Sequence, residues 1–184
     1  NLFFLNPNGI IFGSDAALDI RGSFLASTAE SFSFIDDSEF SAVNFQDATL
    51  LSVNIPLGVQ FNASTHNGDI VNEASLETGL NLTLSAHNLR LQGELQAGED
   101  LTLFAQGILQ ARDTAEISFI ATAGQDLLVQ GNESVDIFVL NHPGSGLGAG
   151  QDLVLRSENA ILGDAYFFSR GDFRIEKQDE TLGI

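Results

Sequence analysis

A single turn-plus-strand phrase returns five times along this chain, and no other feature narrows its architecture as much. The phrases are TGLNLTL (78–84), AGEDLTL (97–103), AGQDLLV (123–129), AGQDLVL (149–155) and SRGDFRI (169–175). Aligning Asn81, Asp100, Asp126, Asp152 and Asp172 gives steps of 19, 26, 26 and 20 residues. Repetition at that interval marks a solenoid, in which no unit can bury its apolar face until a neighbour stacks on it. Each unit reads as one coil of a parallel β-helix. In such a coil the glycine is expected to permit positive φ at a corner. The Asp or Asn is expected to bond the turn's own backbone, and the following leucine to point inward. Coils rise by about 4.8 Å, one strand spacing, so like residues stack in ladders. A β-sandwich shares the short strands and frequent turns but gives no reason for one turn sequence to recur.

The rest of the chain agrees with an all-β class and one domain over residues 1–184. SFSFI (31–35), LNLTLSA (80–86) and NLRLQGELQ (88–96) alternate with period two, which puts Leu89 and Leu91 on one face. DTAEISFIATA (113–123) could pass for a helix, but the spacing of Ile117 and Phe119 fits a strand better. Hydrophobic residues make up 43% of the chain and charged ones 17%, enough apolar material for a sizeable core. The net charge of −18 sets 25 acidic residues against 7 basic ones, so no cationic patch is available for phosphates or anionic lipid. Nucleic acid and membrane are therefore excluded as expected partners, and no apolar run reaches the roughly 20 residues of a bilayer span. No cysteine is present, so no disulfide can form. Fifteen phenylalanines stand against one tyrosine and no tryptophan. Since Tyr and Trp supply most aromatic sugar platforms and interface anchors, the phenylalanines are expected to fill the core.

Near the start, NPNGIIFG (6–13) joins two apolar runs. Pro7 presets φ, Asn8 tolerates left-handed geometry, Gly9 has no Cβ to clash, and Asn6 can bond the backbone ahead, so the tetrapeptide reads as a tight turn. Its surroundings carry more information. NLFFLNPNGIIFG, LDIRGSFLASTAESFSF, SEFSAVNF and IPLGVQF together resemble the amino-terminal secretion domain of filamentous haemagglutinin-type exoproteins, the two-partner secretion family. The repeats from Asn81 onward, including NHPGSGLGAGQDLVLRSENAILGDAYFFSRGDFRIE, resemble its continuation in cyanobacterial members.

That resemblance implies a right-handed, single-stranded parallel β-helix. It implies passage through the periplasm behind a cleavable signal, recognition there by the POTRA modules of a dedicated outer-membrane barrel, and release to the surface or medium of a Gram-negative bacterium. The family's recognition motif falls on Asn6, Pro7, Asn8, Gly9 and Ile10, with residues 1–77 as the secretion part and 78–184 as β-helical repeats. A signal and a second asparagine–proline motif would precede Asn1, making the chain a fragment. The expected function is that of a secretion-targeting and structural domain of an adhesin-type exoprotein. A host or cell-surface receptor is a further candidate partner, and neither cofactor nor metal is expected.

Other candidates carry less. Arg170-Gly171-Asp172 is the integrin-type adhesion tripeptide, but it falls on the repeat's own turn. The acids at 36–39 and the column Asp100, Asp126 and Asp152 lack the Gly-Gly frame of a calcium-binding β-roll. His66, His87 and His142 have no companions at metal-ligand spacing. The glycosylation patterns at 62–64 and 132–134 are short enough to arise by chance. The rivals from other classes are a β-helical polysaccharide-active enzyme, whose two carboxylates Asp126 and Asp152 could supply, and a stalk that only displays a distal module. No catalytic residue is assigned.

Overall fold

The computed structural model describes residues 1–34, 39–43, 56–60 and 68–182. Asp36, Asp37, His66 and the tripeptide at 62–64 lie outside the described residues. Three parallel sheets run side by side, and the chain visits them in rotation. The first holds Leu2–Leu5, Phe24–Ser27, Leu82–Ala86, Leu101–Ala105, Leu127–Gly131, Leu153–Arg156 and Phe173–Glu176. The second holds Ile10–Phe12, Ile70–Asn72, Leu89–Leu91, Ile108–Arg112, Ser134–Phe138 and Ile161–Asp164. The third holds Ala17–Ile20, Ser75–Thr78, Gly93–Ala97, Phe119–Ala123, Gly146–Ala149 and Phe167–Ser169. Three strands therefore make one coil, and the protein is a parallel β-helix. Among the described residues there is no helix, and so none long and apolar enough to cross a membrane.

Period-two alternation sends one set of side chains into the shared interior, where they stack by type. In the first sheet Leu2, Phe24, Leu82, Leu101, Leu127, Leu153 and Phe173 occupy one register column. In the second, Ile10, Ile70, Leu89, Leu109, Val135 and Ile161 do the same. The middle members of both columns are fully buried, whereas Leu2 and Phe173 in the end coils are about half exposed. Each coil is thus completed by its neighbours, as the repeat pattern requires.

The recurring acids behave differently from expectation. All but the last, Asp172, accept a backbone N–H from the coil that follows, not from their own turn. Asn81 Oδ1 accepts from Asp100, Asp100 from Asp126, Asp126 from Asp152, and Asp152 from Asp172, at 2.9–3.2 Å. The sequence offsets of these bonds are the 19, 26, 26 and 20 residues of the repeat. Two earlier rungs extend the ladder: Asn1 Oδ1 accepts from the Ser23 amide, and Ser23 Oγ from the Asn81 amide. The glycines of the phrase also have another role than left-handed geometry. Among the described residues the positive-φ glycines are Gly9 and Gly93. In Gly98, Gly124 and Gly150 the hydrogen facing the previous coil lies against a glycine carbonyl, and a Cβ there would sit 2.2, 2.1 and 1.9 Å from that oxygen.

Two local readings also change. NLRLQGELQ is not one strand, because Gly93, with φ at +75°, turns the chain between the second and third sheets; Leu89 and Leu91 do share the buried face. Strand Ser31–Phe34 belongs to no coil but pairs antiparallel with Glu39–Ser41 and Pro56–Gln60. This excursion separates two neighbouring strands of the first sheet, whose corner residues Ser23 and Asn81 are 58 apart in sequence. It packs on that sheet through Phe32, which is buried edge-on against Phe3 with ring centroids 6.3 Å apart.

Candidate functional site

Asn6 to Ile10 form the corner between the first strand of the first sheet and the first strand of the second. The Asn6 side chain is used up in closing this corner. Its Nδ2 donates to the Gly9 carbonyl at 2.9 Å, its Oδ1 accepts from the Asn8 amide at 3.2 Å, and its carbonyl accepts from the Gly9 amide at 3.1 Å. Gly9 takes φ of +111°, a conformation that only glycine reaches without strain. Pro7 and Ile10 are buried. Of the five motif residues, only Asn8 is exposed. The next residue, Ile11, lies outward on the second sheet with 78% of its surface exposed, more than any other large apolar side chain among the described residues.

The corner is also clamped from behind by residues distant in sequence. The Ile10 amide donates to the Asp69 carbonyl, and the Asn6 amide to the Ser27 carbonyl. Thr28 Oγ1 donates to the Gly68 carbonyl at 2.7 Å and accepts from the His87 amide. Gly68 is so close to the turn that a Cβ would lie 2.4 Å from the Gly9 nitrogen and 2.5 Å from the Pro7 carbonyl oxygen. Sequence reasoning missed Thr28, Gly68 and Ile11. Only Ser23 carried a usable signal, since Gly22-Ser23-Phe24 has the same form as Gly171-Asp172-Phe173.

Arg170, Gly171 and Asp172 sit at the corner before the last strand of the first sheet, five coils away from the asparagine turn. All three are exposed. Gly171 and Asp172 have ladder duties: a Cβ on Gly171 would meet Asp152 Oδ1 at 2.3 Å, and the Asp172 amide donates to that same oxygen. The backbone amide of Asp172 and the Arg174 guanidinium, 2.6 Å from Asp152 Oδ2, hold the Asp152 carboxyl below its ordinary value. Asp126 and Asp152, the best carboxylate pair for an enzyme, thus each spend Oδ1 on the backbone of the next coil.

One buried acid organises the NHPGS loop. Asp113 accepts from the Asn141 and His142 amides, the Asn141 side chain and the Ser145 hydroxyl, at 2.8–3.2 Å. Burial pushes its carboxyl up, but these donors outweigh burial and hold it below the usual carboxylate range. His142 Nδ1 accepts from the Gly144 amide, so this histidine belongs to the same turn. Because the folded value is depressed, the stabilisation is present above the unfolded value of about 3.9 and is lost as pH falls through the folded one. Asp113→Ala removes the acceptor of four hydrogen bonds and is expected to cost about 3 kcal/mol at pH 7. In urea titrations the loss should shrink when the same pair of proteins is compared at pH 3.

The comparison with known families now bears on this corner. The model of the TPS secretion domain, the two-partner secretion domain, matches residues 1–173. The chain belongs to that family. No curated protein matches it, and no solved structure does. As a two-partner secretion domain it is the secretion-targeting part of an exoprotein that is exported across the outer membrane of Gram-negative bacteria with a dedicated transporter. The match to this two-partner secretion domain model spans both the asparagine corner and the ladder.

Proposed function

We propose that the transporter reads this two-partner secretion domain at the asparagine corner, through the POTRA modules on the periplasmic side of its barrel. Asn6, Pro7, Gly9 and Ile10 build the corner, and Asn8 with Ile11 present the atoms that are read. The observation that carries this reading is the division within the motif: buried and hydrogen-bonded residues hold the turn, and an isoleucine 78% exposed stands beside it. An apolar side chain left in water at the edge of a rigid turn is what a partner can cover at little ordering cost. Residues 1–77 carry this handle, residues 78–184 extend the solenoid, and the domain serves an adhesin-type exoprotein displayed at the cell surface.

The test compares neighbours on opposite sides of one strand. Ile11→Ser should leave the thermal midpoint unchanged, yet weaken capture by the purified POTRA modules at least about tenfold, since one covered isoleucine is worth roughly 2 kcal/mol. Ile10→Ala should cost about 3 kcal/mol of stability, as for a core deletion. Wild-type export of a stable Ile11→Ser protein would refute the reading. A plain stalk would likewise tolerate exchange of Asn6 and Asn8 by residues that keep the turn.

A further inference from the structure

The outer face of the third sheet changes character at its last strand. Its central register column runs Asp19, Glu77, Gln96, Thr122, Gly148, Phe168. Phe167 turns into the core and stacks on Phe173 with centroids 5.3 Å apart, so the neighbours on either side, Tyr166 and Phe168, face out. They are 66% and 63% exposed, and as residues i and i+2 of an extended segment they stand about 7 Å apart on one face. Both face outward at the last strand of the third sheet. Phe168 thus lies on the surface beside the chain's single tyrosine, contrary to the expectation that the phenylalanines fill the core.

Beside Phe168 runs a shallow groove of about 310 Å³, bounded by Thr122, Gly124, Gly148, Gly150, Phe168 and Arg170. Its floor is backbone. Gly124 and Gly150 are required by the stacking of coils, but Gly148 is not: its φ is not positive, and a Cβ there would meet only Thr122 Cγ2, at an ordinary 3.7 Å. Glycine within a strand is destabilising by roughly 0.5–1 kcal/mol, so the fold carries a cost whose visible effect is an open groove. Arg170 is part of its lining. Among the described residues Arg90, Arg112, Arg156 and Arg174 are each paired with a carboxylate, whereas Arg170, like Arg21, makes no ion pair.

We propose that this groove binds an acidic pyranose residue of a glycan, its C–H face on Phe168 and its carboxylate on Arg170. A shallow groove cannot enclose a wholly apolar group away from water. A sugar ring suits it, because one face covers an aromatic ring while the hydroxyls stay hydrated. The guanidinium fork matches a carboxylate with two parallel hydrogen bonds. A peptide adding as a strand would pair along the outer edge of Phe167–Ser169, the last strand of this sheet, whereas the groove lies on the sheet's face. The site is separate from the asparagine corner and does not depend on the export reading.

The 184-residue chain carries its own reporter, since it has one tyrosine and no tryptophan. Titration with a uronate-bearing oligosaccharide should change Tyr166 emission saturably, and the carboxyl-reduced neutral oligosaccharide should bind about tenfold more weakly. Arg170→Gln should abolish that preference, and Phe168→Ala should abolish binding of both. Gly148→Thr should block the groove with no fall in thermal midpoint, which separates occlusion from unfolding. The proposal is overturned if the uronate oligosaccharide causes no saturable change, if the neutral sugar binds equally well, or if Gly148→Thr binds as the wild type does. It is also overturned if the face captures only an integrin-type protein receptor, with that capture lost in Arg170→Lys.

Discussion

Gly124→Ala is expected to destabilise the domain by about 3 kcal/mol, and Gly124→Val by more, although position 124 is exposed and its φ would suit any residue. Solvent exposure would ordinarily predict tolerance. Here the added carbon would lie 2.1 Å from the Gly98 carbonyl oxygen, well inside contact distance, and the obstacle is backbone that cannot rotate aside. Relief requires prising two coils apart, which breaks the neighbouring ladder bond from the Asp126 amide to Asp100 and loosens leucine columns on both sides. Since a domain of this size has only about 5–15 kcal/mol in hand, the valine variant should approach the limit of folding. Urea denaturation measures the effect. Gly148→Ala, on the open outer face, is the internal control and should be neutral or stabilising. Equal costs at the two positions would show that coil spacing does not set the glycine requirement.

The second large effect concerns function. Gly68→Ala changes none of the motif residues, yet it should reduce export through the transporter by more than tenfold. Its Cβ would collide with the Gly9 nitrogen and the Pro7 carbonyl, so the asparagine corner has to lift from the solenoid. The Ile10 amide would then lose the Asp69 carbonyl, and Ile11 would lose its fixed direction. Hydrogen exchange at the Ile10 amide reports the lift, while amides in the distant strand Leu153–Arg156 should stay protected because stability in a solenoid is local. Secretion of Gly68→Ala at the wild-type rate, with the Ile10 amide exposed, would mean that the geometry of the corner is not what the transporter reads.

The recurrence of a glycine, then an Asp or Asn, then an apolar residue was enough to specify coils and interior columns, because in a solenoid one residue type serves one position again and again. The chemistry at that position was less legible. A glycine before an acid looks the same whether it is needed for backbone angle or for close approach, and only the oxygen of the preceding coil distinguishes the two. The excursion through Phe32 was unreadable for a related reason: alternation marks a strand but not its partner, and parallel and antiparallel neighbours leave the same trace in SFSF. In the asparagine motif the turn itself could be read from residue types. The clamp by Thr28 and Gly68 could not, since it joins segments 40 residues apart. Phe168 was misjudged because its neighbour Phe167 has the same composition and the opposite direction.

The side-chain ladder has a sense that the backbone sheets do not make obvious. In every rung the earlier coil supplies the oxygen and the later coil the amide, from Asn1 through Asp152. The two rims of any partly formed stack are therefore chemically unlike, as are the two ends of a growing filament. A coil arriving on the carboxyl side finds its acceptors already in place, whereas one arriving on the amino side must bring them. A polypeptide released amino end first would wind in the order that its own asparagines and aspartates have prepared.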